Sequence, residues 1–335
     1  MSEKSPLRQA QEKFVAAVAV RSTGEESSFL LDALGRTLYQ PVVAPHDMPP
    51  YPRAIVEGFL VNAKDTEGAT EQSPKLFNVV GRVAPGDATC PKIGSGEAVE
   101  VATGSLVSND PVAIVRAWEA EQVDANRIAV KRVFPPRFFI EEQGCDLSAH
   151  VEVLPAGIEL GPWELGLAAG VGVEEVSVAR RPTVALFSCG AEVIPFNEPL
   201  RPGLIRDSNS IMLSAAITRA GAIPRFAGIM PDDFETFRGA LAKALKENDM
   251  VVISGGTAVG GRDFVSDLIR DVGELLVDGV PMKSGRPLIM GAAAGTPIVG
   301  VAGHPPEALR GFRLFGQAAI DRMLGRERAI PEDSV

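Results

Sequence analysis

The sequence predicts an α/β protein with a doubly wound sheet and a separate β-rich region, on three observations. From Arg181 to about Gly325, apolar runs of strand length alternate with amphipathic helical stretches, the order of βαβ units in a parallel sheet. Within that region, Val251-Val252-Ile253-Ser254-Gly255-Gly256-Thr257-Ala258-Val259-Gly260-Gly261-Arg262-Asp263 reads as a buried strand, a glycine-rich turn and a helix start. From about Arg53 to Phe134 the chain instead shows short alternating runs punctuated by glycine, the texture of a small barrel or sandwich.

The elements follow in order. Ser5-Pro6 is a cap and first-turn pair, and Leu7, Ala10, Phe14, Ala17 and Val18 recur at helical spacing. A second helix is expected through Phe29, Leu30, Leu31, Ala33 and Leu34, ending near Gly35. Prolines crowd Pro41 to Pro52 and exclude helix there. Strands are expected at Ala98–Ala102 and Ile128–Lys131, a return at Pro135-Pro136, and a short helix near Trp163–Ala169. Thr183–Phe187 is a near-continuous apolar strand, as buried parallel strands are. A helix from about Ser208 to Ala220 and a strand around Arg225–Ile229 come next. Asp232-Asp233 then cap a helix carrying Phe234, Phe237, Leu241, Ala244 and Leu245 on one face. After the Val251–Ile253 strand, Asp263 caps Phe264–Val272, with Gly273 as the stop. Strands around Leu288–Met290 and Ile298–Val301 precede a last helix near Pro306.

Bulk properties narrow the function. The 335 residues suffice for two or three domains. A 45% hydrophobic and 23% charged composition is ordinary for a soluble protein. The formal charge of -10 argues against non-specific nucleic-acid binding. No apolar run reaches membrane-span length, and the N-terminus lacks a signal-peptide core, so a cytoplasmic protein is expected. Cys90, Cys145 and Cys189 give no disulfide framework, and His46, His150 and His304 are too scattered for zinc.

Ligands of such sheets sit beyond the strand C-termini, so the loops there are the candidates. They are Ser188 to Glu192, Asp207-Ser208-Asn209, Asp232-Asp233, Ser254 to Thr257, Asp263, Lys283 to Arg286 and Gly303-His304-Pro305. Glycine-turn N–H groups with Lys283 and Arg286 suit a phosphate or oxyanion. The carboxylates suit Mg²⁺ completed by substrate phosphate and water. Taken singly, Asp207, Asp232 and Asp263 read as helix caps, Lys283 as a surface lysine, His304 as structural and Glu57 as an exposed strand charge. Their shared placement at strand ends favours a site.

These residues resemble the molybdopterin molybdotransferase family, the MoeA and gephyrin E-domain type. Its Ser-Gly-Gly-Val-Ser-Val-Gly and following Asp appear as Ser254 to Asp263, and its Lys-Pro-Gly-Lys-Pro as Lys283-Ser284-Gly285-Arg286-Pro287. Its Gly-Leu-Pro-Gly-Asn-Pro appears as Gly300-Val301-Ala302-Gly303-His304-Pro305, its Ser-Thr-Gly-Asp-Glu as Ser188-Cys189-Gly190-Ala191-Glu192, and its Asp-Thr/Ser-Asn as Asp207-Ser208-Asn209. Ala33 to Arg36, Ala44 to Pro50, Val56-Glu57-Gly58-Phe59, Thr103-Gly104 and Gly144 to Leu147 match further family segments. The chain departs from the pattern at Glu57, Ala191, Gly261, Ser284, Arg286, Ala302, His304 and Pro306-Glu307. It is also expected to lack the family's β-rich C-terminal domain.

The resemblance implies a MoeA-like multi-domain α/β protein. An elongated N-terminal linker domain (1–52 with 135–180) carries an inserted β-rich domain (53–134). An α/β molybdopterin-binding domain (181–326) and a tail (327–335) follow. It implies Mg²⁺-dependent insertion of molybdate into adenylylated molybdopterin with AMP release. Asp263, Asp233, Glu192, Lys283 and Arg286 would be catalytic positions. Ser254, Gly255, Gly256, Thr257, Asn209, Ser208, Gly190, Gly303 and His304 would bind molybdopterin or its adenylylated form. Mg²⁺ would lie among Asp263, Asp233, Glu192, Asp146 and Glu57, with Glu57 given by the second subunit of a homodimer. A molybdoenzyme or another cofactor-biosynthesis protein is an expected partner. The alternative is a non-catalytic molybdopterin or cofactor carrier, chaperone or regulator. An ordinary dinucleotide enzyme ranks lower, because no G-x-G-x-x-G follows the first strand of the α/β region.

Overall fold

The computed structural model describes residues 5–20, 22–231, 233–256, 264–280 and 286–329. The chain divides into two units: Met1–Pro41, Leu154–Ala169 and Val173–Val335 form the first, and Val42–Val153 with Gly170–Gly172 form the second.

The first unit begins with α1 (Pro6–Ala16), whose N-cap Ser5 accepts from the Arg8 amide. Next comes β1 (Glu25–Phe29), followed by a 3-10 turn over Leu30–Ala33. The expected second helix through Phe29 to Leu34 is therefore corrected to a single 3-10 helix over Leu30–Ala33, with Phe29 ending β1. Its apolar run is too short to distinguish helix from strand by spacing. Pairing with residues 175–179 decides the matter by giving β1 a complete antiparallel ladder.

The second unit holds a six-stranded sheet made of β2 (Gly58–Asn62), β3 (Lys75–Val83), β4 (Glu97–Val101), β5 (Val112–Arg116), β6 (Ala120–Asp124) and β7 (Arg127–Val130). The strand order is β5-β2-β4-β3-β7-β6. Only the β3–β4 pair is parallel. Gly58 is required at the start of β2, because a Cβ there would lie 2.1 Å from the Val115 carbonyl oxygen. Glu119 sits between Arg116 (2.8 Å) and Arg132 (2.6 Å). Those two guanidiniums, Arg116 first, hold its carboxyl at about 2. A depressed carboxyl pKa contributes stability above its unfolded value near 4.5 and loses it as pH falls through about 2. Glu119→Gln is therefore expected to lower the unit's thermal midpoint at neutral pH. The difference from the parent should shrink between pH 4.5 and 2, read by the fluorescence of neighbouring Trp118. A difference that grows on acidification would contradict it.

Returning to the first unit, the chain forms α2 (Pro162–Gly170) and β8 (Glu175–Ala179), the partner of β1. The α/β region then runs β9 (Thr183–Cys189), α3 (Asn209–Arg219), β10 (Ile223–Met230), α4 (Phe234–Glu247), β11 (Met250–Ser254), α5 (Phe264–Val272), β12 (Glu274–Asp278), β13 (Ile289–Ala293), β14 (Thr296–Val301), α6 (Pro305–Gly311) and α7 (Gln317–Leu324). The sheet order is β10-β9-β11-β14-β13-β12. The strands β10, β9, β11 and β14 are parallel.

The far end is mixed rather than wholly parallel. β13 runs antiparallel to both β14 and β12. Ala294 and Gly295, with φ of 47° and 86°, make the two-residue turn into β14, as primed hairpin turns require. β12 itself was not expected, because Gly273 closes a helix and the five residues after it are too few to show alternation. Two reversals leave β12 pointing the same way as β14, so five of the six strands end at one rim.

Alternate residues of the central strands feed two cores. Val184, Leu186 and Val252 pack with Phe14, Leu213, Ile217, Phe312 and Phe315 on one face. Ala185, Phe187, Val251 and Ile253 pack with Phe237, Leu241, Val265 and Leu268 on the other. Burial on both faces explains the unbroken apolar runs of β9 and β11.

Candidate functional site

The shared rim carries a cleft of about 330 Å³. It is lined by Ser188, Cys189, Glu192, Val193, Ile205 to Asn209, Ser254 and Gly303 to Pro305. Strand register fixes its floor: Ser188 lies beside Ser254, and Ser254 beside Val301. Gly255 donates its amide to the Val301 carbonyl at 3.0 Å, so the chain after β11 crosses towards β14. Gly255 and Gly256 have φ of 89° and 72°. A Cβ on Gly255 would stand 2.6 Å from the Cys189 carbonyl oxygen, which explains the glycine. The opposite wall is a short parallel bridge between Val193-Ile194 and Ile205-Arg206, closed by the Ile205 amide on the Glu192 carbonyl at 2.8 Å.

The first turn of α3 organises the polar groups. Asp207 Oδ1 accepts from the Ser210 amide at 2.9 Å, the cap that the sequence suggests. Asn209 Nδ2 donates to Ser254 Oγ at 2.8 Å and to the Gly303 carbonyl at 2.7 Å. Ser254 Oγ in turn reaches the Ala302 carbonyl at 3.4 Å. One asparagine thus ties the loops after β11 and β14 to the helix start. Ser188, Asp207 and Asn209 are all buried.

Of the expected site residues, Glu192, Ser208, Asn209, Ser254, Gly303 and His304 line this one cleft. Gly190, Gly255 and Gly256 shape its backbone. Thr257, Asp263 and Lys283 lie outside the described residues. Two expectations are not met in the cleft. Asp233 is not among the lining residues. It is the exposed N-cap of α4, accepting from the Thr236 amide at 2.8 Å, and its bonds to Thr236 hold its carboxyl below the usual value. Arg286 points its guanidinium at the end of β12, donating to the Asp278 carbonyl at 3.1 Å and the Gly279 carbonyl at 2.8 Å. In that pose it clamps the turn after β12. Glu57 and Asp146 belong to the second unit. There Glu57 is exposed beside Gly58, and Asp146 lies 3.5 Å from Arg53, which also holds Glu141 at 2.6 Å. Among the described residues, no three His, Cys, Asp or Glu side chains are grouped to hold a metal ion.

Two polar cleft residues, Ser188 and Asp207, were not assigned as ligand contacts from the sequence. Asp207 read as a cap, and it is one. Its second oxygen is buried and has no hydrogen-bond partner among the described residues.

A polar cleft at the carboxyl rim, floored by a glycine turn and a helix start, marks a ligand-binding α/β domain. A family model described as a probable molybdopterin binding domain matches residues 185–322, which contain the whole cleft. Another, described as the MoeA N-terminal region (domain I and II), matches residues 5–172. Molybdopterin molybdenumtransferase 2 of Mycobacterium tuberculosis is 33% identical over 327 residues, covering 95% of this chain and 80% of that protein. The molybdopterin molybdenumtransferase of Bacillus subtilis is 30% identical over 302 residues, covering 89% of this chain and 70% of that protein. Two crystal structures of the molybdopterin biosynthesis MoeA protein of Pyrococcus horikoshii match with TM-scores of 0.85 and 0.82, at 33% and 28% identity, each over 97% of this chain and 81% of theirs. The chain belongs to the molybdopterin molybdenumtransferase family, a family of transferases in molybdenum cofactor biosynthesis.

Proposed function

We propose that the protein inserts molybdate into adenylylated molybdopterin with release of AMP, in a Mg²⁺-dependent step at the rim cleft. The observation that carries this reading is the cleft itself. It holds a polar cluster fixed by Asn209 beside a glycine turn packed against Cys189. Gly190, Ser208, Asn209, Ser254, Gly255, Gly256, Thr257, Gly303 and His304 would bind the pterin substrate.

The donor set fits Mg²⁺. This ion takes one or two carboxylates and completes its shell with water and substrate phosphate. Glu192 is an exposed carboxylate in the cleft wall, and no described residue bonds its side chain. With Asp263 it would hold the ion, which when bound would neutralise phosphate charge as AMP departs. Lys283 would complement the anionic substrate, and the glycine turn would orient it through main-chain N–H groups. A homodimer in the cytoplasm, serving a molybdoenzyme, completes the reading, as does the division into linker, inserted and molybdopterin-binding domains.

The test mixes the full chain with adenylylated molybdopterin, Mg²⁺ and molybdate. AMP release with metal incorporation is the expected result. Tight binding without AMP release would replace the reading with a carrier. Glu192→Gln removes the charge but keeps the shape, so turnover should fall by roughly tenfold or more and half-saturation by Mg²⁺ should rise. Unchanged Mg²⁺ dependence would remove Glu192 from the site.

A further inference from the structure

Exposed apolar side chains gather at one corner of the first unit. Among the described residues, Leu31 at 89% and Trp163 at 76% are the two most exposed large hydrophobic side chains, and Phe29 and Leu34 are 62% and 56% exposed. Local geometry brings them to one corner. Residues three apart in a 3-10 turn lie one above the other. Leu31 and the C-cap residue Leu34 therefore share a side, while Ala33 is buried with Leu30 on another. The Gly35 amide donates to the Leu160 carbonyl at 2.8 Å, and the Leu30 amide to the Glu174 carbonyl at 3.1 Å. These bonds tie the turn to the segments before and after α2. Trp163 stands in the first turn of α2, three residues beyond Leu160. Phe29 pairs with Glu175 on β8.

Apolar exposure concentrated in this way marks an interaction surface, and the charge around it selects the partner. Residues 25–36 and 161–175 hold six carboxylates, those of Glu25, Glu26, Asp32, Glu164, Glu174 and Glu175, and one guanidinium, that of Arg36. Arg36 is already committed to Glu26 and to the Ala179 carbonyl. Asp32 and Glu174 are exposed, and no described residue bonds their side chains. A nucleic acid or an anionic membrane is repelled by such a rim. A second copy of this chain would set the same carboxylates against each other, and like charges across an interface suppress pairing. We infer that the corner formed by β1, the 3-10 turn and α2 is a docking surface for a cationic amphipathic segment of another protein. Its apolar side chains would cover Leu31, Leu34 and Trp163, and its lysines or arginines would meet the carboxylate rim. Nothing in this depends on the activity proposed for the rim cleft.

The test titrates the full chain, in a Trp118→Phe background that leaves Trp163 as its one indole, with two amphipathic helical peptides. They share one leucine pattern, and their polar positions are all lysine in one and all glutamate in the other. The lysine peptide should shift Trp163 emission to shorter wavelength and bind at least about tenfold tighter than the glutamate peptide. Leu31→Ser combined with Leu34→Ser keeps the charge and should weaken the lysine peptide by about tenfold or more. Asp32→Asn combined with Glu174→Gln keeps the apolar contacts and should flatten the salt dependence of binding. All four positions are exposed. A circular dichroism melt checks each variant, and the parent's selectivity between the peptides decides the matter if a variant is unfolded. Equal binding of the two peptides would overturn the inference. So would failure of the lysine peptide to bind at millimolar concentration, or binding that survives in the serine variant. A parent that sediments as a dimer, with a serine variant that sediments as a monomer, would assign the surface to a second copy and also overturn it.

Discussion

Arg326→Met is expected to destabilise the first unit by about 3–5 kcal/mol, the usual cost of removing one partner from a buried ion pair. Arg326 is 8% exposed, faces Glu159 at 3.7 Å and makes four side-chain hydrogen bonds. They are Thr37 Oγ1 at 2.7 Å, the Ala220 carbonyl at 3.0 Å, Asp321 at 3.4 Å and the Gly35 carbonyl at 3.5 Å. One side chain thus joins the end of α7, the end of α3 and the loop before residue 38. Burial pushes the Asp321 carboxyl above its ordinary value and the Arg326 guanidinium below its own, despite their mutual attraction. The pair is therefore costly to desolvate, and more costly to break than to replace. Asp321→Leu combined with Arg326→Met should recover most of the loss. A carboxyl with a raised folded pKa loses stability as pH rises through that value. Without Arg326 the Asp321 pKa rises further, so the deficit of the single variant should shrink on acidification. Urea unfolding of a Trp118→Phe background, with Trp163 reporting on the first unit, measures both effects. Additive losses in the double variant would sink the argument.

Gly255→Ala should abolish function while leaving most of the molecule folded. The residue combines a φ of 89° with a Cβ position 2.6 Å from the Cys189 carbonyl oxygen. Cys189 cannot swing away, because its strand is paired with Met230 on one side and with β11 on the other. The turn itself must move. A strained positive φ costs about 1–3 kcal/mol, and a shift of about 1 Å in a binding wall can reduce turnover roughly 100-fold. Gly239→Ala is the contrast: it lies at an exposed position of α4, where a Cβ meets nothing within 4 Å. That change should add about 0.5–1 kcal/mol and leave AMP release unaltered. Normal turnover by Gly255→Ala would show that the glycine turn does not shape the site.

Much of the fold is legible in local chemistry. The Ser5 and Asp233 caps, the glycine after β11 and the apolar strands β9 and β11 each follow from residue type and spacing. The family motifs place Ser254, Asn209 and Gly303 at one site, where the structure also gathers them. Where local chemistry fails, long-range pairing has decided. Residues 25–29 are a strand because residues 175–179 lie alongside. Arg286 holds a carbonyl turn because β12, too short to read in advance, ends beside it.

Residue types and their spacing by themselves marked the loops of Glu192, Asn209, Ser254 and Gly303 that line the cleft and the family the chain belongs to, because strand ends, caps and glycine turns are short-range features. Only the tertiary structure decided the hydrogen bonding behind the cleft wall. Which oxygen of Asp207 remains unbonded, and which way the Asn209 amide faces, depends on partners as distant in sequence as Gly303. Hydrogen-bond commitments of that kind are settled when the loops meet, and no local pattern encodes them.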